Sequence, residues 1–117
     1  MSVEAIDIEG LKRLSGNDIA FVNEILKLYG ERTSRDVEEL RAAYDEEDWN
    51  AVRFVVHRMR SAAVPLGLKN LVVILKRIEL ALKNEEIQGI REQLEEVYSI
   101  TSIVMRDAQE KLDMASA

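Results

Sequence analysis

Apolar residues recur at alternating steps of three and four along most of this 117-residue chain. That spacing is the signature of helices that each bury one stripe. One series runs Val22, Leu26, Tyr29, Thr33, Val37, Leu40 and Tyr44 from a start at Asn17 or Asp18, with Gly30 a candidate kink. A second carries Trp49, Val52, Val55, Val56, Met59 and Ala63, and a third Leu68, Leu71, Val72, Leu75, Ile78 and Leu82. The last begins at about Glu85 or Glu86 and presents Ile87, Ile90, Leu94, Val97, Thr101, Val104 and Ala108, ending at Lys111. No alternation of period two, the mark of a half-buried strand, competes with these stripes.

The breaks between stripes are short and chemically apt. Ile6, Ile8, Leu11 and Leu14 make a short amphipathic turn or helix that ends at "SGND", where Ser, Gly, Asn and Asp supply turn and capping groups. The acidic turn "DEED" over 45–48 leaves Asp48 as an N-cap for the next helix. That helix should stop near Pro65-Leu66-Gly67, because proline cannot donate to the preceding turn and glycine accepts the left-handed conformation beyond a helix end. Four long stripes joined by short turns predict an all-α fold, an antiparallel up-and-down four-helix bundle with a short extra N-terminal helix. We assign residues 1–14 to the short helix, 17–112 to the bundle and 113–117 to a disordered tail, all within one domain spanning 1–117.

Composition narrows the chemistry. Without cysteine there is no disulfide, thiolate nucleophile or thiolate metal site, and a single histidine argues against zinc. No apolar run reaches the roughly 18 residues that span a bilayer, and the amino terminus "MSVEAIDIEG" has no signal-peptide pattern. A cytoplasmic protein is expected. A net charge of −6 opposes nucleic acid and anionic membrane, so the expected partners are proteins.

Against that acidic background stands "VVHRMRSAAVPLGL", residues 55–68, which holds the only histidine and the only proline. Residues 50–64 carry Arg53, Arg58 and Arg60 and no acid. At about 100° per residue, Val52, Val55, Val56, Met59 and Ala63 fall within roughly 60° of one direction, and His57 lies about 140° away, in solvent. Phe54 and Val64 share its outward sector, an unusual use of apolar side chains unless something covers them. A lone surface histidine is ordinarily a solvated residue without a role. Here, however, guanidinium forks surround a nitrogen nucleophile, an arrangement suited to a phosphoryl group. An imidazole is largely unprotonated near neutrality, and neighbouring cations favour that nucleophilic form.

These residues resemble the histidine-containing phosphotransfer (HPt) domains of multistep two-component phosphorelays, over nearly the whole chain. The pattern is the family's His, a basic residue three later, small residues and then a glycine ten after the His: His57, Arg60, Ser61-Ala62-Ala63 and Gly67, with Leu71 beyond. The opening "IDIEGLKRLSGND" and "EEDWNAVRFVVH" also look like the family's lead-in. The resemblance implies that His57 accepts a phosphoryl group from an aspartyl phosphate on one receiver domain and passes it to the aspartate of another. It implies that Arg60 steadies the phosphate and attracts the receiver's acidic pocket, and that Gly67 and the small residues allow close approach. Glu79 stands where many relatives carry a Gln or Glu that bonds the imidazole; a solvated Glu79 paired with Lys76 or Lys83 is the competing assignment. Ser61 departs from the glycine common after the basic residue, and its hydroxyl either bonds the phosphate or slows approach.

Receiver docking is then expected on an apolar patch with Phe54 and Val64, rimmed by Arg53 and Arg58 and adjoining Gly67. The chain should be a phosphocarrier, not an enzyme: it has no Gly-rich phosphate loop and no metal-binding carboxylate cluster. It should therefore bind no ATP and no cofactor, with Mg²⁺ supplied by the receiver. A monomer is expected, and Met1 with a compact domain leans towards a free-standing protein. Two rivals remain. The phosphoacceptor and dimerisation domain of a sensor kinase normally has an acid directly after its histidine and a proline five on, where this chain has Arg58 and a proline only at Pro65. A helical adaptor without phosphotransfer is the other.

Overall fold

The computed structural model describes residues 5–116, and among them every regular element is helical. They are α1 (Ile8–Ser15), α2 (Ile19–Asp45), α3 (Trp49–Ala63), a 3₁₀ turn (Val64–Leu66), α4 (Lys69–Lys83) and α5 (Ile90–Ser116). The helices α2 to α5 pack each against the next, and α2 closes on α5, giving the four-helix ring the stripes predict.

Aspartates start three of the helices. Asp7, Asp18 and Asp48 accept the backbone N–H groups of Gly10, Phe21 and Ala51, each satisfying one otherwise unbonded donor for about 1 kcal/mol. The core is the set of stripes facing one another: Leu26 and Leu40 from α2, Val52, Val55 and Val56 from α3, Leu71, Leu75 and Ile78 from α4, and Leu94, Val97 and Val104 from α5, all buried. At 27 residues, α2 and α5 are each about 40 Å long, and they run most of the molecule's 46 Å length. The shorter pair α3 and α4, 15 residues each, covers part of that length.

Beyond the α3–α4 turn, the N-terminal segment packs on the exposed flank of the long pair. Ile6 and Leu11 are buried. The backbone N–H of Ile6 donates to Asp107 of α5, and that of Asp7 donates to the carbonyl of Leu66.

Three boundaries differ from expectation. The first helix begins at Ile8, after residues 5–7, which hold no regular structure; residues 1–4, assigned above to that helix, lie outside the described residues. The last helix begins at Ile90 instead of about 85, because Glu85 and Gly89 take left-handed backbone conformations (φ of 58° and 91°) that a helix cannot contain. Ile87, counted above in the buried stripe, consequently sits in the connection and is exposed. At the other end α5 continues through Ser116, where a disordered tail over 113–117 was expected. No glycine or proline follows Ala108 to stop it, and Leu112 still packs against the core; residue 117 lies outside the described residues.

Candidate functional site

The buried stripe of α3 determines where His57 points. With Val52, Val55, Val56 and Met59 facing the core, the imidazole projects away from the bundle axis and its side chain is 62% exposed. On the neighbouring helix, Leu71, Leu75 and Ile78 turn inward, which brings Glu79 to the rim of the α3–α4 seam with only 16% of its side chain exposed.

There Glu79 bridges two residues of α3. Its Oε1 lies 2.9 Å from Nδ1 of His57, and its Oε2 accepts from Nε of Arg60 at 3.0 Å. A terminal nitrogen of Arg60 also stands 3.2 Å from the same Nδ1. One nitrogen cannot donate to the carboxylate and accept from the guanidinium at once. An ionised carboxylate only accepts, and the shorter, charge-assisted contact is the stronger. We therefore assign the proton to Nδ1, donating to Glu79, and read the arginine contact as close packing. The other ring nitrogen, Nε2, then keeps its lone pair.

The remaining basic residues divide by direction. Arg58 turns towards α2, where it donates through Nε and Nη2 to Asp36 at 3.0 and 2.6 Å and also bonds Glu39. The hydrogen bond to Glu39, with Asp36 reinforcing it against the cost of burial, raises the guanidinium above its ordinary value. Its charge centre also lies 5.5 Å from the Phe54 ring. Arg53, by contrast, makes no ion pair among the described residues. With Asn50, Phe54, His57, Lys76, Glu79, Leu80 and Lys83 it lines a groove of about 510 Å³ along the α3–α4 seam.

On the opposite flank of α3 lies a larger groove of about 750 Å³, walled by α1, α2 and the end of α3. Ser61 lines this second groove, beside Leu14, Phe21, Ala62 and Pro65. Val64 is exposed. Gly67, with φ of 70°, lies under Asp7, whose Cβ would come within 2.9 Å of any Cβ added there. The structure thus joins His57, Arg60 and Glu79 through direct contacts and sets Phe54 and Arg53 beside them. It directs Arg58 to α2 and Ser61 to the far groove, and it covers Gly67 with the N-terminal segment.

Two features escaped the sequence reading. Asp36, buried and paired with Arg58, has a signal in hindsight: it falls within the inward sector of α2, about 40° from Val22. Lys76 and Lys83 were weighed only as partners of Glu79, yet that carboxylate is occupied by His57 and Arg60. Lying three before and four after Glu79, they share its helix face. Among the described residues no group of His, Cys, Asp and Glu has the arrangement to hold a metal ion.

Comparison with known proteins bears on the family. The sequence model of the family described as "Hpt domain" matches residues 24–115. The Sensor protein EvgS of Escherichia coli strain K12 and that of Escherichia coli O157:H7 are each similar to this chain, 31% identical over 75 residues, or 64% of its length. The chain spans about 6% of the length of these curated relatives. No solved structure matches it.

Proposed function

The chain belongs to the Hpt domain family, the phosphocarrier modules of two-component signalling, and from that premise we propose that it relays a phosphoryl group between receiver-domain aspartates through Nε2 of His57. The observation that carries this reading is the 2.9 Å contact between Nδ1 and Glu79 beneath an exposed ring. A hydrogen bond at Nδ1 leaves Nε2 as the nucleophile and points it at solvent.

In the transfer, the Nε2 lone pair forms a bond to phosphorus as the bond from phosphorus to the aspartyl oxygen breaks. The departing electron pair restores the receiver's carboxylate. The ring gains positive charge while Nδ1 keeps its proton, and Glu79 lies where that charge is best compensated. Return to a second receiver's aspartate reverses these steps. Such a reaction demands position and charge neutralisation more than covalent participation. The chain then acts as a phosphocarrier with no ATP site, and the receiver brings Mg²⁺.

Docking uses the exposed Phe54, Leu80 and Val64, with Arg53 and Arg60 at the rim. The same reading has the protein work as a cytoplasmic monomer, away from nucleic acid and membrane. No helix of the described residues is long and apolar enough to cross a bilayer.

The test is incubation with a panel of phosphorylated receiver domains, following acid-labile, base-stable label onto the protein. Label should appear on the wild type and vanish in His57→Gln. A wild type that stays unlabelled across the panel, or a His57→Gln variant labelled as fully, would overturn the reading.

A further inference from the structure

Counting charge at the site exposes a shortfall. His57 is the neutral nucleophile, and Glu79 and Arg60 cancel one another through their ion pair. A phosphoryl group on Nε2 would carry about −2 near neutrality, of which the positive charge gained by the ring offsets about half, beside a carboxylate 2.9 Å from the same ring. Arg60 is the arginine nearest the imidazole, but its Nε is committed to Glu79 and its terminal nitrogen lies against Nδ1, the ring atom that does not react. Arg58 is held by Asp36 and Glu39 on the far side of α3.

Three cations remain, and all line the groove that contains His57. Arg53 is four residues before His57, one helical turn away along α3. Lys76 and Lys83 stand one turn to either side of Glu79 along α4. All three are exposed, and none has an ion-pair partner among the described residues. In a chain of net charge −6, three cations around one histidine, each without an ion-pair partner among the described residues, make a local positive field.

We propose that Lys76 and Lys83, with Arg53, form a cradle in the α3–α4 groove that binds the phosphoryl group once it sits on His57, while Arg60 serves to hold Glu79. This inference rests on the relay reading above. It gives two residues of α4, which the sequence pattern around the histidine does not include, a share in holding the dianionic group. Lysine suits the task, since its ammonium is a point charge on a flexible stem and can swing from solvent onto oxygens that exist only in the phosphorylated state. The cradle therefore favours the phosphorylated protein without altering the resting one.

The experiment is a ³¹P NMR pH titration of the phosphorylated protein, loaded from a receiver and then separated from it. Cations beside the phosphoryl oxygens favour the dianion and lower the midpoint of its last ionisation. Lys76→Gln combined with Lys83→Gln should raise that midpoint by about half a pH unit or more, and Lys76→Arg with Lys83→Arg should restore it. The equilibrium between phosphorylated receiver and phosphorylated His57 should shift several-fold towards the receiver in the glutamine variant. Circular dichroism should be unchanged, since both lysines are exposed.

An unmoved ³¹P midpoint in a labelled, folded glutamine variant would overturn the cradle and leave the relay standing. Slower transfer with an unmoved midpoint would do the same, and would assign the lysines to receiver docking. A wild type that never acquires label on His57 removes the relay reading and the cradle together.

Discussion

A ring nitrogen that must attack phosphorus needs a free lone pair and a fixed direction, and at His57 both depend on one carboxylate. Glu79 reaches the imidazole with one oxygen and Arg60 with the other, so the arginine acts on the histidine through the acid. Glu79→Ala should release the ring from both constraints. Transfer from a phosphorylated receiver should slow about ten- to a hundred-fold, the scale expected when a reacting group loses its alignment, and ¹⁵N NMR of the imidazole should show the Nε2–H tautomer gaining population. Glu79→Gln can still accept the Nδ1 proton through its carbonyl oxygen, so it should retain the tautomer and lose less rate. A Glu79→Ala protein with unchanged tautomer and unchanged rate would show that something other than this acid orients the ring.

Among the elements, α3 has to stay in register with α2 while it exposes a reactive face, and the Arg58–Asp36–Glu39 cluster fixes one side of it. Asp36 is 8% exposed, and a buried carboxylate left alone is costly. Arg58→Ala should therefore destabilise the bundle by about 1–3 kcal/mol in chemical denaturation while phosphotransfer by the folded protein stays near the wild-type rate; a large loss of transfer with no loss of stability would return Arg58 to the docking surface. Because the guanidinium is raised above its ordinary value, its contribution is complete below that ordinary value and is lost only as pH climbs through the raised one. The strut is thus insensitive to the pH of its arginine anywhere near neutrality. What was legible in the sequence follows from the same geometry. Stripe period alone placed His57 outside the core and Glu79 at the edge of its helix, because burial of Val52, Val55, Leu75 and Ile78 leaves no other rotation. Pairing of arginines with acids between helices was not legible, since a run of charges does not say which arginine meets which acid: Arg58 and Arg60 look alike in the chain and face opposite neighbours in the fold. The onset of α5 was missed because Ile87 fits the three-four period, although Gly89 was the available stop signal.

For the molecule as a whole, the family match begins at residue 24 and so leaves out α1 and the first turn of α2, yet the packing treats that segment as part of the bundle. Ile6 and Leu11 are buried to 3% exposure. Asp7 caps α1 with its side chain, bonds Leu66 through its backbone and lies over Gly67, so one residue ties the N-terminal segment to the end of the helix that carries His57. The contact sits beyond the α3–α4 turn, on the side of α3 away from the groove that holds Glu79 and the lysines. Removing its apolar anchor should therefore cost stability and spare the chemistry. Leu11→Ala should lower the unfolding free energy by about 2–4 kcal/mol, the usual consequence of truncating a buried leucine, as read from the midpoint shift in urea at unchanged slope. The folded fraction should still accept phosphoryl groups on His57 at close to the wild-type rate. If transfer instead falls in step with the loss of α1 docking while the rest of the bundle stays folded, the larger groove beside Ser61 is a surface that receivers need, and α1 contributes to recognition as well as to the fold.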